Sequence, residues 1–383
     1  MANLITKFCF VAAFALISCG DDGTPASVGG MSNSQASIGG SPVASGPVTA
    51  IPLPTVQEAD GLVAVRHPLE ARAIAASGGA INANGLIGRN RQYGRLVSPR
   101  FQLGAGAALR LGLHLDPTLA NNGFRAIEVG TSAIASDGAV QSDVPPDAPA
   151  GTTLDRSDLA SGAAFFMADA CPALLALQAH PNADTIAEPR RRETVIAALG
   201  RGLNWLIALA DDLERVDRAA PNRLLYDALA YHSCGVLTGN NAAQTHARRF
   251  VALALSQTRT DGVFIEKGGS DTSYQAVSVR LAADLLLTGY AATDSQTLNN
   301  RWQAGAIWLG NRILADGRID SSANTRTCHG GESFLGVEKT VSAPGVYGAM
   351  IYMAELASND GLKSAAARLS AWAQANPNSD GCT

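Results

Sequence analysis

The chain has 383 residues, of which 46% are hydrophobic and 16% are charged, and its formal net charge is −4. A chain with this small negative charge has no basic surface for nucleic acid, so nucleic-acid binding is excluded as its main activity. The high hydrophobic and low charged content indicates a folded protein whose elements are mostly buried on at least one side.

The first residues predict export from the cell. Lys7 is followed by an apolar run over residues 8–17, which is too short to cross a bilayer of about 30 Å as a helix. The run ends in LISC, which resembles the lipobox of bacterial lipoproteins. That resemblance implies a signal peptide over residues 1–18, a lipid on Cys19 and attachment to a membrane, with Gly20 favouring the outer membrane. The alternative is an ordinary signal peptide with an incidental cysteine.

Residues 19–58 are predicted to be a lipidated cysteine followed by a flexible tether, because Gly, Ser, Pro and Ala predominate. Residues 59–383 are long enough for one large core or two small ones, and we expect a single catalytic domain there. No apolar run after residue 20 is expected to reach the roughly 18–20 residues of a membrane span.

Four cysteines remain once the signal and the lipidated residue are set aside: Cys171, Cys234, Cys328 and Cys382. An even number in an exported protein allows two disulfides with three possible pairings. Free buried thiols are the alternative.

Apolar residues recur at helical spacing through most of the chain after residue 155. The predicted helices cover residues 67–78, 99–113, 155–180, 188–218, 221–239, 245–257, 272–288, 294–315, 344–358 and 363–374. Alternating apolar positions over 123–141, around an Asp137-Gly138 turn, predict a β-hairpin, and a similar one is predicted within 318–338. Successive helices with short turns predict a mainly α protein. We expect an α/α toroid (an incomplete helical barrel) or an irregular helical bundle, with one or two short β-hairpins.

The stretch most informative about function is 261–275, DGVFIEKGGSDTSYQ, which predicts a turn, an extended piece, a glycine loop and a helix start at Tyr274 and Gln275. In its Asp261-Gly262 pair, Glu266 and Tyr274 it resembles the catalytic-tyrosine region of toroidal polysaccharide lyases, of the heparinase-like and hyaluronate/chondroitin AC-type groups. The resemblance implies a toroidal lyase in which Tyr274 is the acid and base.

Such lyases remove the C5 proton of a uronic acid and expel the sugar at O4, so the carboxylate must be neutralised while a base and an acid act. The family places an asparagine, and in some members a histidine, on an upstream helix, where this chain has Asn222 and His232. Asn222 has a helix cap as its alternative role, and His232 a place in the core. Lys267 stands where the hyaluronate-type pattern has a histidine. The chemistry requires neither a cofactor nor a metal.

A second polar cluster, residues 324–339, reads NTRTCHGGESFLGVEK and includes Glu338 and Lys339. So polar a loop between apolar helices predicts the rim of a site, with a solvated loop held by Cys328 as the alternative. Arg326 is predicted to hold a uronate carboxylate with two hydrogen bonds, and His329 is a second candidate base after His232. The residues expected to contact substrate are Arg223, Arg280, Arg326, His329, Glu332, Gln275 and Lys267.

A group of four arginines, Arg89, Arg91, Arg95 and Arg100, either lines an anionic groove or solvates a surface.

The function predicted from these residues is cleavage of a uronic-acid-containing polysaccharide by a monomeric, exported lyase. One alternative is a glycoside hydrolase that uses Glu266 or Asp271 together with Glu332 as paired carboxylates. The other is a non-catalytic lipoprotein that binds surface glycans.

Overall fold

The computed structural model describes residues 52–334, 337–377, 379 and 381–382. The predicted signal peptide, the lipidation at Cys19 and most of the predicted tether lie outside the described residues. The described chain contains fifteen α-helices and one two-stranded sheet. The prediction of a mainly α protein is therefore confirmed.

The helices are α1 (Val56–Arg66), α2 (Pro68–Ala75), α3 (Gly88–Tyr93), α4 (Ala105–Leu115), α5 (Pro117–Thr131), α6 (Arg156–Ala179), α7 (Ala183–Ile186), α8 (Pro189–Ile207), α9 (Ala210–Asp217), α10 (Pro221–Thr238), α11 (Asn241–Ser256), α12 (Thr272–Leu287), α13 (Ser295–Asn311), α14 (Ala343–Leu356) and α15 (Asp360–Ala375). Strand β1 (Ser333–Phe334) pairs antiparallel with β2 (Val337–Glu338).

Most predicted helices are confirmed to within a few residues at their ends. The predicted helix 188–218 is divided into α8 and α9, and the predicted helix 99–113 is a short 3₁₀ helix, Pro99–Gln102, followed by α4. Gly104 separates those two pieces with a left-handed φ of 95°, which interrupts helical geometry. Helix α1 begins within the residues assigned to the tether, because Thr55 and Glu58 form a capping box there.

The predicted hairpin over 123–141 was wrong for its first half, which belongs to α5. Asp116 caps α5 and Pro117 occupies its first turn. A side chain at Gly123 would collide with the backbone of Leu109 on α4, so the glycine allows close helix packing rather than marking a strand. In the second half of that predicted hairpin, Ile134 and Val140 form an isolated antiparallel bridge. The predicted hairpin within 318–338 is shortened to β1 and β2.

Six helices follow one another in a cycle of contacts. Helix α1 packs on α4, α4 on α6, α6 on α10, α10 on α12, α12 on α14, and α14 packs back on α1. Most members of the cycle also contact the next long helix along the chain, as α4 does α5, α10 does α11, α12 does α13 and α14 does α15. Helix α10 begins beside the loop that precedes α12, because the Asn222 amide donates to Glu266 at 3.5 Å.

Helix α6 is long and apolar enough, by length and composition, to cross a membrane, so the prediction that no such run exists was wrong. However, 83% of its apolar window is buried inside the protein. Helices α8 and α9 pass the same test only when taken together across a 72° bend. The apolar character of α6 is explained by its contacts with α4, α8 and α10 on several sides.

Two disulfides decide among the three possible pairings. Cys171 of α6 is joined to Cys234 of α10 with a Cα–Cα distance of 5.1 Å. Cys328 in the polar loop is joined to Cys382 near the C-terminus with a Cα–Cα distance of 5.6 Å. The second bond attaches the end of the chain to the loop that was predicted as a site rim.

Candidate functional site

The start of α12 is the centre of the candidate site, and Asp271 organises it. Its carboxylate Oδ1 accepts hydrogen bonds from the backbone amides of Ser273 (3.0 Å) and Tyr274 (3.1 Å), as expected of a helix cap. Its Oδ2 accepts from the backbone amides of Arg326 (2.9 Å) and Thr327 (2.8 Å) in the polar loop. One fully buried carboxylate thus fixes the helix that carries Tyr274 against the loop that carries Arg326.

Tyr274 lies beneath a guanidinium and beside an ammonium group. The Arg326 Cζ atom lies 3.8 Å from the centre of the tyrosine ring, which is a close cation–π contact. The Lys339 Nζ atom donates to the Tyr274 hydroxyl at 3.0 Å, and the hydroxyl donates to Glu332 Oε2 at 3.4 Å. The hydroxyl is therefore placed between a donor and an acceptor, and its contact with Lys339 is within proton-transfer distance.

The Glu332 carboxylate is held by three cations. Arg326 donates to it from Nε at 3.0 Å and from Nη2 at 3.1 Å, in the two-bond geometry that suits a carboxylate. The ammonium groups of Lys339 and Lys267 each lie 2.5 Å from one of its oxygens. Burial acts to raise the pKa of Glu332, but hydrogen bonds from Arg326, Lys267 and Lys339 outweigh it and hold the pKa well below its usual range.

Glu266 is a second carboxylate bound to Arg326, on the side away from solvent. It is fully buried and accepts from Arg326 Nη1 at 2.5 Å and from the backbone amide of Asn222 at 3.5 Å. Burial raises the pKa of Glu266 to about 6, although Arg326 and the Asn222 amide act in the opposite direction. The same arginine therefore joins one carboxyl group of raised pKa and one of lowered pKa.

Burial also shifts the pKa values of Tyr274 and Lys339, which share a hydrogen bond. It raises the pKa of the Tyr274 hydroxyl, against the opposing effect of Arg326. It lowers the pKa of Lys339, against the opposing effect of Glu332. Both shifts favour the neutral forms and move the two pKa values apart, so a single proton between the two groups stays on the tyrosine.

Backbone strain is concentrated in the loops beside Tyr274. Among the described residues four non-glycine positions have a positive φ, and three of them, Lys267, Cys328 and His329, lie in these loops. Such conformations cost energy and persist only where surrounding contacts hold them. The contacts of Asp271 with the loop and the Cys328–Cys382 disulfide supply that restraint.

The structure thus brings together Tyr274, Arg326, Glu332 and Lys267 of the predicted site residues, and it places the backbone of Asn222 against their partner Glu266. The Asn222 side-chain Oδ1 is buried without a hydrogen-bond partner. Arg223 is buried and donates to Asp217 at 2.8 Å.

Four predicted site residues have other roles. His232 lies further along α10, where its ring contacts Gln244 Oε1 (2.8 Å) and the Thr288 carbonyl (3.1 Å), so the core alternative describes it better than the catalytic one. Gln275 accepts from the Phe264 amide at 2.9 Å and donates to the Gly262 carbonyl at 2.8 Å, which stabilises the preceding turn.

His329 is exposed and its Nε2 lies 3.1 Å from the Ser321 hydroxyl, with no contact to Tyr274. Arg280 faces a separate cavity, where it donates to Asp284 at 3.2 Å. His329 was predicted from the polar loop and Arg280 from its position six residues after Tyr274, but their side chains contact other partners.

That cavity has a volume of about 210 Å³ and lies between the start of α12, the middle of α6 and the loop before α4. Arg89 and Arg100 line it, whereas Arg91 and Arg95 are exposed. Sequence reasoning missed Tyr226 and Asp169, which also line it. Tyr226 lies one helical turn after Asn222 and Arg223, and that spacing was the signal available.

In the part of the chain that the structure describes, no group of three or more His, Cys, Asp or Glu side chains is arranged to hold a metal ion. Comparison of the chain with protein-family models, with curated proteins and with solved structures finds no match. The functional conclusion therefore depends on the geometry of the site.

Proposed function

We propose that this protein is a polysaccharide lyase that cleaves a uronic-acid-containing polysaccharide by β-elimination on an α/α toroid. The cyclic order of contacts through α1, α4, α6, α10, α12 and α14 supports the toroid, since a toroid is a closed ring of inner helices with a second helix outside each. By the same proposal the chain is exported, anchored through Cys19 at the outer membrane, and active as a monomer on an acidic polysaccharide.

The observation that carries the proposal is the carboxylate of Glu332, held by Arg326, Lys339 and Lys267 within 3.4 Å of the Tyr274 hydroxyl. A uronate carboxylate needs the same environment, because negative charge moves onto it when the neighbouring C–H bond breaks. We infer that the substrate carboxylate replaces Glu332 on Arg326 and Lys267 and leaves Lys339 uncharged, which brings the C5 proton to the tyrosine.

Tyr274 and Lys339 then act as one proton-transfer pair. When Lys339 is uncharged, Tyr274 passes its proton to the Lys339 amine across their 3.0 Å hydrogen bond and takes up the C5 proton. The electron pair of the C5–H bond forms the C4–C5 double bond and the C4–O4 bond breaks. Tyr274 then donates a proton to O4 and recovers one from Lys339, which returns the pair to its starting state.

The test is the ultraviolet absorbance of the unsaturated uronate product. The purified full-length protein would be incubated with alginate, glucuronan, hyaluronan, heparan and pectate. We expect absorbance to rise with one of them, and Tyr274→Phe to reduce the rate by about 10²–10⁴-fold. Tyr290→Phe is the matched control, because Tyr290 is equally buried and donates to Asp294 at 2.8 Å, away from the site. If absorbance rises at the same rate with Tyr274→Phe as with Tyr290→Phe, Tyr274 is not the acid and base of the reaction.

A second candidate function is glycoside hydrolysis, favoured by the opposite pKa shifts of Glu266 and Glu332 on one arginine. Two carboxyl groups of different pKa are what an acid and a nucleophile require. Glu332→Gln separates the two functions. Elimination should persist or increase, since the internal competitor of the substrate carboxylate is removed, whereas hydrolysis, measured as new reducing ends without absorbance, should be lost.

The third possibility, a glycan-binding lipoprotein, predicts neither absorbance nor reducing ends but retention on an immobilised polysaccharide. Retention unchanged by Tyr274→Phe, with both assays silent, would favour binding over catalysis.

A further inference from the structure

The cavity between α6, α10 and α12 is separate from the contacts of Tyr274. Its lining includes Arg100, Asp169, Tyr226, Ser273 and Arg280. Neither Tyr274 nor Lys339 belongs to the lining, although Ser273 is the residue before the tyrosine. Four arginines and two aspartates line this cavity, so the distribution of charge decides what it can bind.

Three of the four arginines already have carboxylate partners. Arg89 pairs with Asp147 at 3.2 Å. Arg110 pairs with Asp60 at 2.7 Å and with Asp284 at 2.8 Å. Arg280 also binds Asp284, at 3.2 Å, as noted above. These side chains are neutralised by the protein itself and need no ligand.

Arg100 is different, because it forms no ion pair with any residue of the described chain. Its Nε is buried without a hydrogen-bond partner, and its Cζ lies 4.2 Å from the centre of the Phe165 ring. Burial lowers the pKa of Arg100 to about 10, so the side chain still carries its charge at neutral pH. A half-buried guanidinium whose Nε has no hydrogen-bond partner is unfavourable without an anion, and a bound carboxylate would remove that cost.

The rest of the lining suits a hydroxylated ring. Asp169 uses Oδ2 to accept from the amides of Gly104 (3.1 Å) and Gly106 (2.7 Å), and no protein donor contacts its Oδ1 among the described residues. Tyr226 stacks on Phe165 with ring centres 4.0 Å apart, which presents a rigid aromatic wall. A carboxylate oxygen accepts from sugar hydroxyls, and an aromatic wall packs against the apolar C–H face of a sugar.

We propose that this cavity is a binding site for one sugar-acid unit, with its carboxylate on Arg100 and its hydroxyl groups donating to Asp169. A single anionic charge with neighbouring hydroxyls matches one uncompensated arginine beside one carboxylate acceptor. Binding at this cavity does not require cleavage at Tyr274, so it can be tested whether or not the protein is a lyase.

The test is titration calorimetry of the full-length protein with D-glucuronate and D-galacturonate, with D-glucose and inorganic sulfate as comparison ligands. We expect one of the two uronates to bind, glucose to bind at least about tenfold more weakly, and Arg100→Gln to weaken uronate binding by at least about tenfold. Arg156→Gln, which removes an exposed arginine of α6, is the charge-matched control and should leave binding unchanged.

A second variant guards against loss of folding in Arg100→Gln. Ala107 lines the cavity, and Ala107→Leu should block the ligand without removing charge. Binding of sulfate as tightly as uronate, binding that survives both cavity variants, or the absence of uronate binding by the wild type would each overturn the proposal.

Discussion

Asp271 offers the sharpest test of how the candidate site is held together. Its carboxylate accepts four backbone amides, two from the first turn of α12 and two from the loop at Arg326 and Thr327. Asp271→Ala removes the acceptor from all four donors in a fully buried position. We therefore expect a loss far larger than that of an ordinary helix cap.

The magnitude follows from the number of donors left unpaired. Loss of a helix cap costs about 1 kcal/mol, and each further buried amide left without an acceptor costs about 1–3 kcal/mol. Asp271→Ala should therefore lower the free energy of unfolding by about 3–7 kcal/mol. Asp271→Asn keeps one acceptor oxygen and should lie between the wild type and the alanine variant.

Asp155→Ala is the matched control. Asp155 caps α6 by accepting from the amides of Ser157 (2.8 Å) and Asp158 (2.9 Å), but it is exposed and holds no second segment. The measurement is equilibrium unfolding in denaturant, followed by circular dichroism for both variants. If Asp271→Ala loses no more stability than Asp155→Ala, the two loop amides contribute nothing and the account of how the loop is positioned is refuted.

Three further outcomes follow from the contacts of the site. Arg326→Gln leaves Glu266 buried without its cation, so it should lower the free energy of unfolding by about 3–5 kcal/mol at pH 7. The loss should be smaller at pH 5, where Glu266 is protonated. An equal loss measured at both pH values would contradict this. The folded-state pKa of Glu332 is below its usual 4.5, so its stabilisation is present above that pH and disappears as the pH falls through the lower folded-state value. Between pH 7 and pH 3, the free energy of unfolding of Glu332→Gln should therefore fall less steeply with decreasing pH than that of the wild type. An unchanged dependence on pH would argue against the lowered pKa of Glu332. Replacing Cys328 and Cys382 together by serine opens a loop of 54 residues and should cost about 4 kcal/mol, whereas an unchanged midpoint of thermal unfolding would mean that the bond adds no stability.

Local patterns in the sequence were sufficient for most of the helices. The apolar spacing over α6, α10 and α12 predicted each of them to within about a turn, because helical period and capping depend on residues three or four apart. The same reasoning failed at 123–131, where a hairpin was predicted instead of a helix. Gly123 is needed there because α5 packs closely against Leu109 of α4. A glycine that permits close packing cannot be told from one in a turn by its neighbours in the chain.

The sequence by itself determined the mainly α class, the start of a helix at Tyr274 and the presence of a polar loop over 324–339. Only the tertiary structure decided which cysteines pair, that Arg326 and Lys339 reach the tyrosine, and that His232 is turned into the core. It also decided that Arg100 alone among the cavity arginines has no carboxylate partner in the described chain. Local structure follows from neighbouring residues, whereas contacts between residues more than 50 positions apart depend on how whole helices pack.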